Sequence, residues 1–306
     1  MKKFFSLLSL VVMLGLVTVS CLDDKEDRQE TTLIYSGELC FNYVHDRETG
    51  QTLINVNPSY EMKYDFVAQT VTVTIAGLQV SPQISGLSLK LPALPFKVTT
   101  DSPYYTTTAT DVVPVGVGQT YVLNQFRLQA IPMRYIDGAL CPVYLISYTL
   151  NDRYEVTVMP TNPVLVGRTT AIRTDNGSDK EFTVKNSVVS AIVDPSKMLA
   201  KVTVFKAEFE QGMPETSLVF KDVPVEVFSQ GFRLKTPADE ELTVYNTNNV
   251  PMNKCTFSNL NYVFNLTSGS TYSSFDVDLT SKSDDYYKFG TFKVDQKLGY
   301  LFEVEE

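Results

Sequence analysis

The chain has 306 residues, of which 43% are hydrophobic and 11% aromatic, enough for one or two domains with packed cores. Its formal net charge is −9, and an acidic surface argues against nucleic-acid binding, which requires a basic footprint. The same charge gives no attraction to anionic lipid, so any membrane attachment needs another source.

The first 20 residues predict a secretory signal peptide. Lysines at positions 2 and 3 form a basic region, residues 4–19 are an apolar run, and Ser20 precedes Cys21. The run is shorter than the about 20 apolar residues that a transmembrane helix needs. Residues 16–21 resemble the lipobox of bacterial lipoproteins, which implies that Cys21 is lipidated and becomes the mature N-terminus. Removing residues 1–20, with two lysines and no acidic residue, leaves a net charge of −11.

Residues 21–30 form an acidic tether behind the predicted anchor. The stretch Asp23-Asp24-Lys25-Glu26-Asp27 resembles the surface-export signal of Bacteroidetes lipoproteins. That resemblance implies an outer-membrane protein, held by its acyl chains and exposed at the cell surface. The alternative is a solvated spacer that carries no export signal.

The rest of the chain is predicted to be all-β. Apolar and polar residues alternate over residues 70–75, 87–91, 154–158, 201–205 and 275–279, as expected of half-buried antiparallel strands. Turn residues separate these segments, and Asn176-Gly177 predicts a type I′ hairpin turn. No segment after the tether has a sustained helical period.

The strands are predicted to form two tandem modules, because the chain resembles itself. Residues 71–73 align with 202–204, and residues 89–98 align with 218–227, including a shared proline and a shared final valine. We therefore expect a duplicated domain, with modules at 31–160 and 164–306 joined at the proline-rich stretch between them.

This layout resembles the tandem calycin-like, or lipocalin-like, modules of uncharacterised Bacteroidetes lipoproteins. The resemblance implies antiparallel barrels of about eight strands. The Gly-x-Trp motif of lipocalins is absent, since the chain has no tryptophan. A closed barrel and a β-sandwich therefore both remain open.

The cysteines and the single histidine predict neither a metal site nor a bound cofactor. Cys40, Cys141 and Cys255 are far apart without a CxxC pair, and no phosphate-binding or dinucleotide motif occurs. Three buried thiols are the favoured interpretation, with a Cys40–Cys141 disulfide as the alternative.

The sequence also predicts that the protein is not an enzyme. His45 is the only histidine, and no Gly-x-Ser-x-Gly elbow accompanies it. Acidic residues at 239–241 and 284–285 lie in polar, turn-like runs rather than in the apolar surroundings that raise the pKa of a catalytic acid.

Two tyrosine pairs are the predicted ligand-binding residues. Tyr104 and Tyr105 follow Pro103, and Tyr286 and Tyr287 follow two aspartates in the second module. Such rings suit contact with sugar or protein, since each offers apolar area and a hydroxyl group. Alternatively, each pair straddles a strand, with one ring facing inward and the other outward.

Together these features predict a non-enzymatic surface lipoprotein that captures a ligand or glycan, or forms part of an envelope assembly. Its expected partners are the membrane, through the acyl anchor, and a glycan, lipid or protein ligand. A pilus or adhesin subunit is the first alternative, and a hydrolase acting outside the cytoplasm is the second.

Overall fold

The computed structural model describes residues 30–35, 39–99, 102–116, 120–131, 135–136, 139–140, 143–177, 180–238, 240–265, 270–280 and 288–299. Within these ranges the chain forms strands and turns without an α-helix, so the predicted all-β fold is confirmed. No helix among them is long and apolar enough to span a membrane. Residues 1–29, which include Cys21, lie outside the described ranges.

The chain divides into two compact units between Met159 and Pro160. Strands of the first unit are β1 (Glu30–Tyr35), β2 (Cys40–Asp46), β3 (Thr52–Asn55), β4 (Ser59–Asp65), β5 (Thr70–Leu78), β6 (Leu87–Lys90), β7 (Leu94–Pro95), β8 (Lys97–Thr99), β9 (Ser102–Ala109), β10 (Leu123–Ile131), β11 (Tyr135–Ile136), β12 (Ala139–Leu140), β13 (Val143–Leu150) and β14 (Tyr154–Pro160). Strands of the second are β15 (Val164–Arg173), β16 (Glu181–Asp194), β17 (Leu199–Ala207), β18 (Thr216–Phe228), β19 (Gly231–Lys235), β20 (Leu242–Tyr245), β21 (Pro251–Asn265), β22 (Ser270–Thr280) and β23 (Lys288–Gly299).

The first unit contains two antiparallel sheets and a short hairpin. One sheet has the order β1-β4-β5-β6, with β7 also paired to β5, and the other has the order β3-β2-β14-β13-β10-β9-β8. Only Phe96 separates β7 from β8, so the chain passes directly from one sheet into the other at this corner. Phe96 is buried there and belongs to the apolar core of this unit.

The second unit is a closed barrel. Eight of its strands form a continuous antiparallel ring, which closes where β17 pairs with β18 and β15 pairs with β23. β20 lies outside this ring order and pairs with both β18 and β21. Of the two arrangements that the sequence left open, the second unit therefore adopts the barrel.

Side chains fill the interior of this barrel. Phe220 stacks on Phe257 with ring centroids 4.3 Å apart, and Phe232 stacks on Phe264 at 4.6 Å. All four rings are buried. The interior of an eight-stranded barrel can be filled by its own side chains or can hold one small ligand, and these stacked, buried rings form part of its core.

Strands β5 and β17, which we call the central strands of the two units, pair with their neighbours in the same register. Ile75 pairs with Leu89 and Val204 with Leu218, and both residues of the second pair lie 129 positions after those of the first. Pro95 and Pro224, which are also 129 positions apart, pair with the first residues of β5 and β17. The aligned blocks 89–98 and 218–227 thus occupy equivalent positions in their units.

The same register corrects the other predicted alignment, that of residues 71–73. Val73 corresponds to Val202 and Val71 to Ala200, so the alignment of residues 71–73 with 202–204 is wrong by two positions. A slip of two residues in an alternating strand leaves every side chain on the same face. The Thr-Val alternation therefore could not distinguish the two alignments.

A matching turn precedes the central strand of each unit. The carboxylates of Asp65 and Asp194 each accept hydrogen bonds from the backbone amides two and three residues later. Gln69 and Met198 then adopt left-handed φ values of 51° and 54°. Hydrogen bonds from the Ser196 hydroxyl and from Lys197 lower the pKa of Asp194 to about 2, so this turn is held by an ionised carboxylate at neutral pH.

The loop at Asn176-Gly177 differs from the predicted type I′ turn. Pairing between β15 and β16 ends at Ile172 and Glu181, which leaves a longer connection than a two-residue hairpin. Gly177 has a positive φ, but Asn176 does not, whereas a type I′ turn needs both. The ion pair between Arg173 and Asp175 occupies the start of this connection.

Replacing Phe220 with alanine should strongly destabilise the second unit. The ring is fully buried against Phe257 and Phe275, so its removal leaves a cavity that costs about 3–5 kcal/mol. Urea unfolding followed by far-ultraviolet circular dichroism would measure the loss. Val250→Ala is the control, because Val250 is 54% exposed and should change stability by less than about 0.5 kcal/mol. Equal unfolding midpoints for the two variants would contradict the filled interior.

Candidate functional site

Of the four predicted tyrosines, Tyr105 alone has a described side chain. It is half-buried on β9, with its ring centroid 5.7 Å from Tyr64, 5.5 Å from Phe66 and 5.5 Å from Phe96. The ring therefore belongs to an aromatic cluster at the margin of the core. Tyr104 lies on the same strand, but its side chain is outside the described part, as are Tyr286 and Tyr287.

A buried polar network occupies the core of the first unit. Tyr60 donates a hydrogen bond to Asn42 Oδ1 at 3.0 Å, and the hydroxyl groups of Tyr60 and Tyr148 lie 3.2 Å apart. Burial raises the pKa of both tyrosines well above the usual range. Both hydroxyls therefore stay protonated, and the network is suited to fixing strand positions rather than to proton transfer.

Ion pairs hold the hairpin that carries His45. Arg153 binds Asp46 at 2.7 Å and Glu48 at 2.5 Å, which ties the β2–β3 turn to the start of β14. Hydrogen bonds from Arg153 lower the pKa of Asp46, so that this carboxylate stays ionised and engaged. His45 Nδ1 is buried and has no hydrogen-bond partner among the described residues, so no carboxylate orients the ring there.

The described ranges contain no group of three or more histidine, cysteine or acidic side chains that could hold a metal ion. Cys40 and Cys255 are buried thiols, and burial raises their pKa values to about 12 and about 11. Cys141, the alternative disulfide partner of Cys40, lies outside the described residues. Such thiols are poor nucleophiles and metal ligands.

A further candidate is a depression of about 270 Å³ on the outer surface of the barrel. Strands β15, β21, β22 and β23 form its floor. We use the name Tyr272 face for six of the outward-facing residues that line it: Arg168, Asn261, Tyr272, Ser274, Asp295 and Lys297.

Strand alternation directs these side chains outward. On β22 the inward positions are Phe275, Val277 and Leu279, all buried, so Tyr272 lies on the opposite side and is 62% exposed. On β23 the buried Phe292 and Val294 likewise leave the odd-numbered positions on the outer surface. The rings that fill the barrel therefore determine which residues line the depression.

Cross-strand register brings the outward side chains together in two rows. Lys297 pairs with Arg168 on one side and with Tyr272 on the other, so these three form one row across β15, β23 and β22. Ser274 pairs with Asp295 and with Asn261, which forms the second row. Directly opposed residues of an antiparallel sheet have Cβ atoms about 5 Å apart, so each row is a set of neighbours.

The charged groups of the Tyr272 face are unengaged in the part of the chain that the structure describes. Arg168, Lys297 and Asp295 form no ion pair or side-chain hydrogen bond there. By contrast, Arg153 and Arg173 each bind two carboxylates. The face thus combines an exposed aromatic ring with donors and an acceptor that are free to bind a ligand.

Sequence reasoning missed this site. Alternation around Phe275 places Tyr272 on the outer surface, but Tyr272 lacks the loop-like surroundings that distinguish the two tyrosine pairs. Arg168 and Lys297 become neighbours through the register between β15 and β23, which are more than 100 residues apart in sequence. Alternation within one strand does not predict that register.

A scan of known protein families finds no model that matches this chain, and a search of curated proteins finds no relative.

Tyr105→Ala should destabilise the protein more than Tyr272→Ala. Tyr105 contacts three aromatic rings while half-buried, so truncation should cost about 2 kcal/mol, below the range for a fully buried ring. Tyr272 is mostly exposed, and its truncation should change stability by less than about 0.5 kcal/mol. Urea unfolding of both variants beside the parent tests this difference. A Tyr105→Ala variant as stable as the parent would mean that this ring is not part of the packed core.

Proposed function

We propose that this chain is a surface-anchored lipoprotein that binds saccharide at the Tyr272 face and catalyses no reaction. The observation that carries the proposal is an exposed aromatic ring surrounded by unengaged polar groups on a rigid sheet. Tyr272 supplies the ring, and the second row supplies carboxylate, amide and hydroxyl groups.

Each part of the face matches a feature of a sugar. An aromatic ring offers a flat apolar surface for the C–H face of a pyranose, with a hydroxyl group at its edge. Asp295 accepts hydrogen bonds, while Asn261 and Ser274 both donate and accept them, as neighbouring sugar hydroxyls require. Because all these groups project from paired strands, little ordering would accompany binding.

The packed barrel favours an outer site over an internal one. Phenylalanine rings occupy the interior, including Phe220, Phe257 and Phe264. A lipocalin-like mode of capture needs room inside the barrel for one small ligand. A polymer bound on the outer sheet needs no such space, which fits a receptor for extended chains.

The proposed location at the cell surface rests on the N-terminal sequence. Residues 16–21 resemble a lipobox, and the acidic residues after Cys21 resemble a surface-export signal. Acyl chains contribute about 0.8 kcal/mol for each buried methylene, so two or three of them hold a protein firmly. A saccharide-binding face carried by such an anchor would be presented outside the cell.

Cys21→Ala should abolish membrane anchoring. Without its thiol the chain cannot be acylated at this position, and no other feature of the tether supplies comparable affinity. Fractionation of cells after labelling with a fatty-acid analogue should give a labelled membrane protein for the parent and an unlabelled, released or unprocessed protein for the variant. Ser20→Ala keeps a small residue before the cysteine and serves as the control. Retention of the Cys21→Ala variant on membranes at the parental level would contradict the anchor.

Tyr272→Ala should weaken saccharide binding about tenfold. A stacking ring contributes about 0.5–1.5 kcal/mol beyond its buried area, and 1.4 kcal/mol corresponds to a factor of ten. The mature protein would be screened in detergent against a glycan array, and the Kd for each bound glycan then measured by calorimetry. Phe205→Ala is the matched control, because Phe205 is an aromatic ring on β17 with 38% exposure and lies outside the Tyr272 face.

Equal weakening by the two substitutions, or unchanged binding by Tyr272→Ala, would contradict the assignment of this face. Binding of no saccharide at all would contradict the proposed function.

A further inference from the structure

Two cations lie directly opposite each other on the Tyr272 face. Arg168 on β15 is the register partner of Lys297 on β23, and both side chains project outward. Like charges in opposed positions of a sheet destabilise it. Neither cation has an ion-pair partner in the described part of the chain, although Asp295 lies only two residues from Lys297 on the same side of the strand.

This arrangement is unexpected in an acidic protein. The chain carries a net charge of −9, with 35 acidic residues against 26 basic ones, so carboxylates for pairing are plentiful. Other arginines do pair with carboxylates, since Arg173 forms ion pairs with Asp175 and Glu210. Two adjacent cations that form no ion pair with a described residue attract an anion, and binding of an anion would relieve their mutual repulsion.

We propose that the Tyr272 face recognises an acidic saccharide, with its carboxylate or sulfate group bound by Arg168 and Lys297. This inference rests on the proposed saccharide function and names the substrate class. Lys297 stands between the arginine and the tyrosine, one strand spacing of about 4.8 Å from each. The acidic substituent of a sugar ring stacked on Tyr272 would thus lie next to the two cations. Asp295, Ser274 and Asn261 in the second row would form hydrogen bonds with the hydroxyl groups of the sugar.

Charge and shape favour a sugar acid over an anionic lipid surface. A membrane attracts a protein through several basic residues spread over a broad area, whereas this chain is acidic overall. The two cations are confined to one depression of about 270 Å³ beside an aromatic ring. Arginine also offers a planar fork that matches a carboxylate or sulfate with two parallel hydrogen bonds.

The test compares charged and neutral forms of the same polymer on the mature, full-length lipoprotein. Polygalacturonate would be measured beside its carboxyl-reduced form, and dextran sulfate beside dextran. We expect at least tenfold tighter binding of one acidic polymer than of its neutral form, and a Kd that increases with salt concentration. Vesicles of phosphatidylcholine with and without phosphatidylglycerol provide the lipid comparison.

Neutralising either cation should remove this preference. Arg168→Gln and Lys297→Gln should each weaken binding of the acidic polymer about tenfold more than binding of the neutral form. Asp295→Asn should leave the preference intact or increase it. Lys293→Gln is the matched control, since Lys293 is exposed on the same side of β23 but outside the face, and should alter the Kd less than twofold. Thermal melting of each variant verifies that it is folded.

The outcomes separate this inference from the proposed function. Tyr272-dependent binding of neutral and acidic polymers with equal affinity would overturn the acidic class and leave saccharide binding in place. A preference that persists in both glutamine variants would overturn the role of the cation pair. Binding of anionic vesicles that is lost in those variants, without binding of any polymer, would overturn both proposals and assign the face to lipid.

Discussion

The closed hydrogen-bond ladder of the second unit is the constraint on which the rest of its structure depends. Because β17 pairs with β18 and β15 with β23, each strand of the ring has a partner on both sides. A slip of one residue in any pairing would exchange the inward and outward side chains of that strand. The phenylalanines that fill the interior therefore fix the register, and the register in turn assembles Arg168, Lys297 and Tyr272 into one row.

The two units use the same framework differently. Their central strands share a register and an aspartate-capped turn, yet Tyr60 of the first unit corresponds to Val189 of the second. In the first unit polar groups lie inside, where Tyr60, Tyr148 and Asn42 bond to one another. In the second unit a valine holds the position of Tyr60, and a buried hydrogen bond runs instead from Gln296 to Thr169. The two cores thus place their buried polar groups at different positions.

Alternation predicted the strands well because it reports a local property. A buried residue at every second position, as in residues 70–75, needs no knowledge of the partner strand. The alignment of residues 71–73 was wrong because alternation repeats every two residues and leaves such slips undetected. The turn predicted at Asn176-Gly177 was wrong because pairing between β15 and β16 already ends at Ile172 and Glu181. In both cases the pairing between strands decided the outcome.

The candidate site illustrates the same limit more sharply. Tyr272, Arg168 and Lys297 are unremarkable in sequence, since each is an outward residue of an amphipathic strand. The register between β15 and β23 makes Arg168 and Lys297 neighbours, and the register between β23 and β22 places Tyr272 beside Lys297. The cost of that opposition is small beside the stability of a filled barrel, so the fold tolerates it without help from a carboxylate. A surface that retains such a cost, in a chain rich in acids, supports the proposal that it binds an external anion.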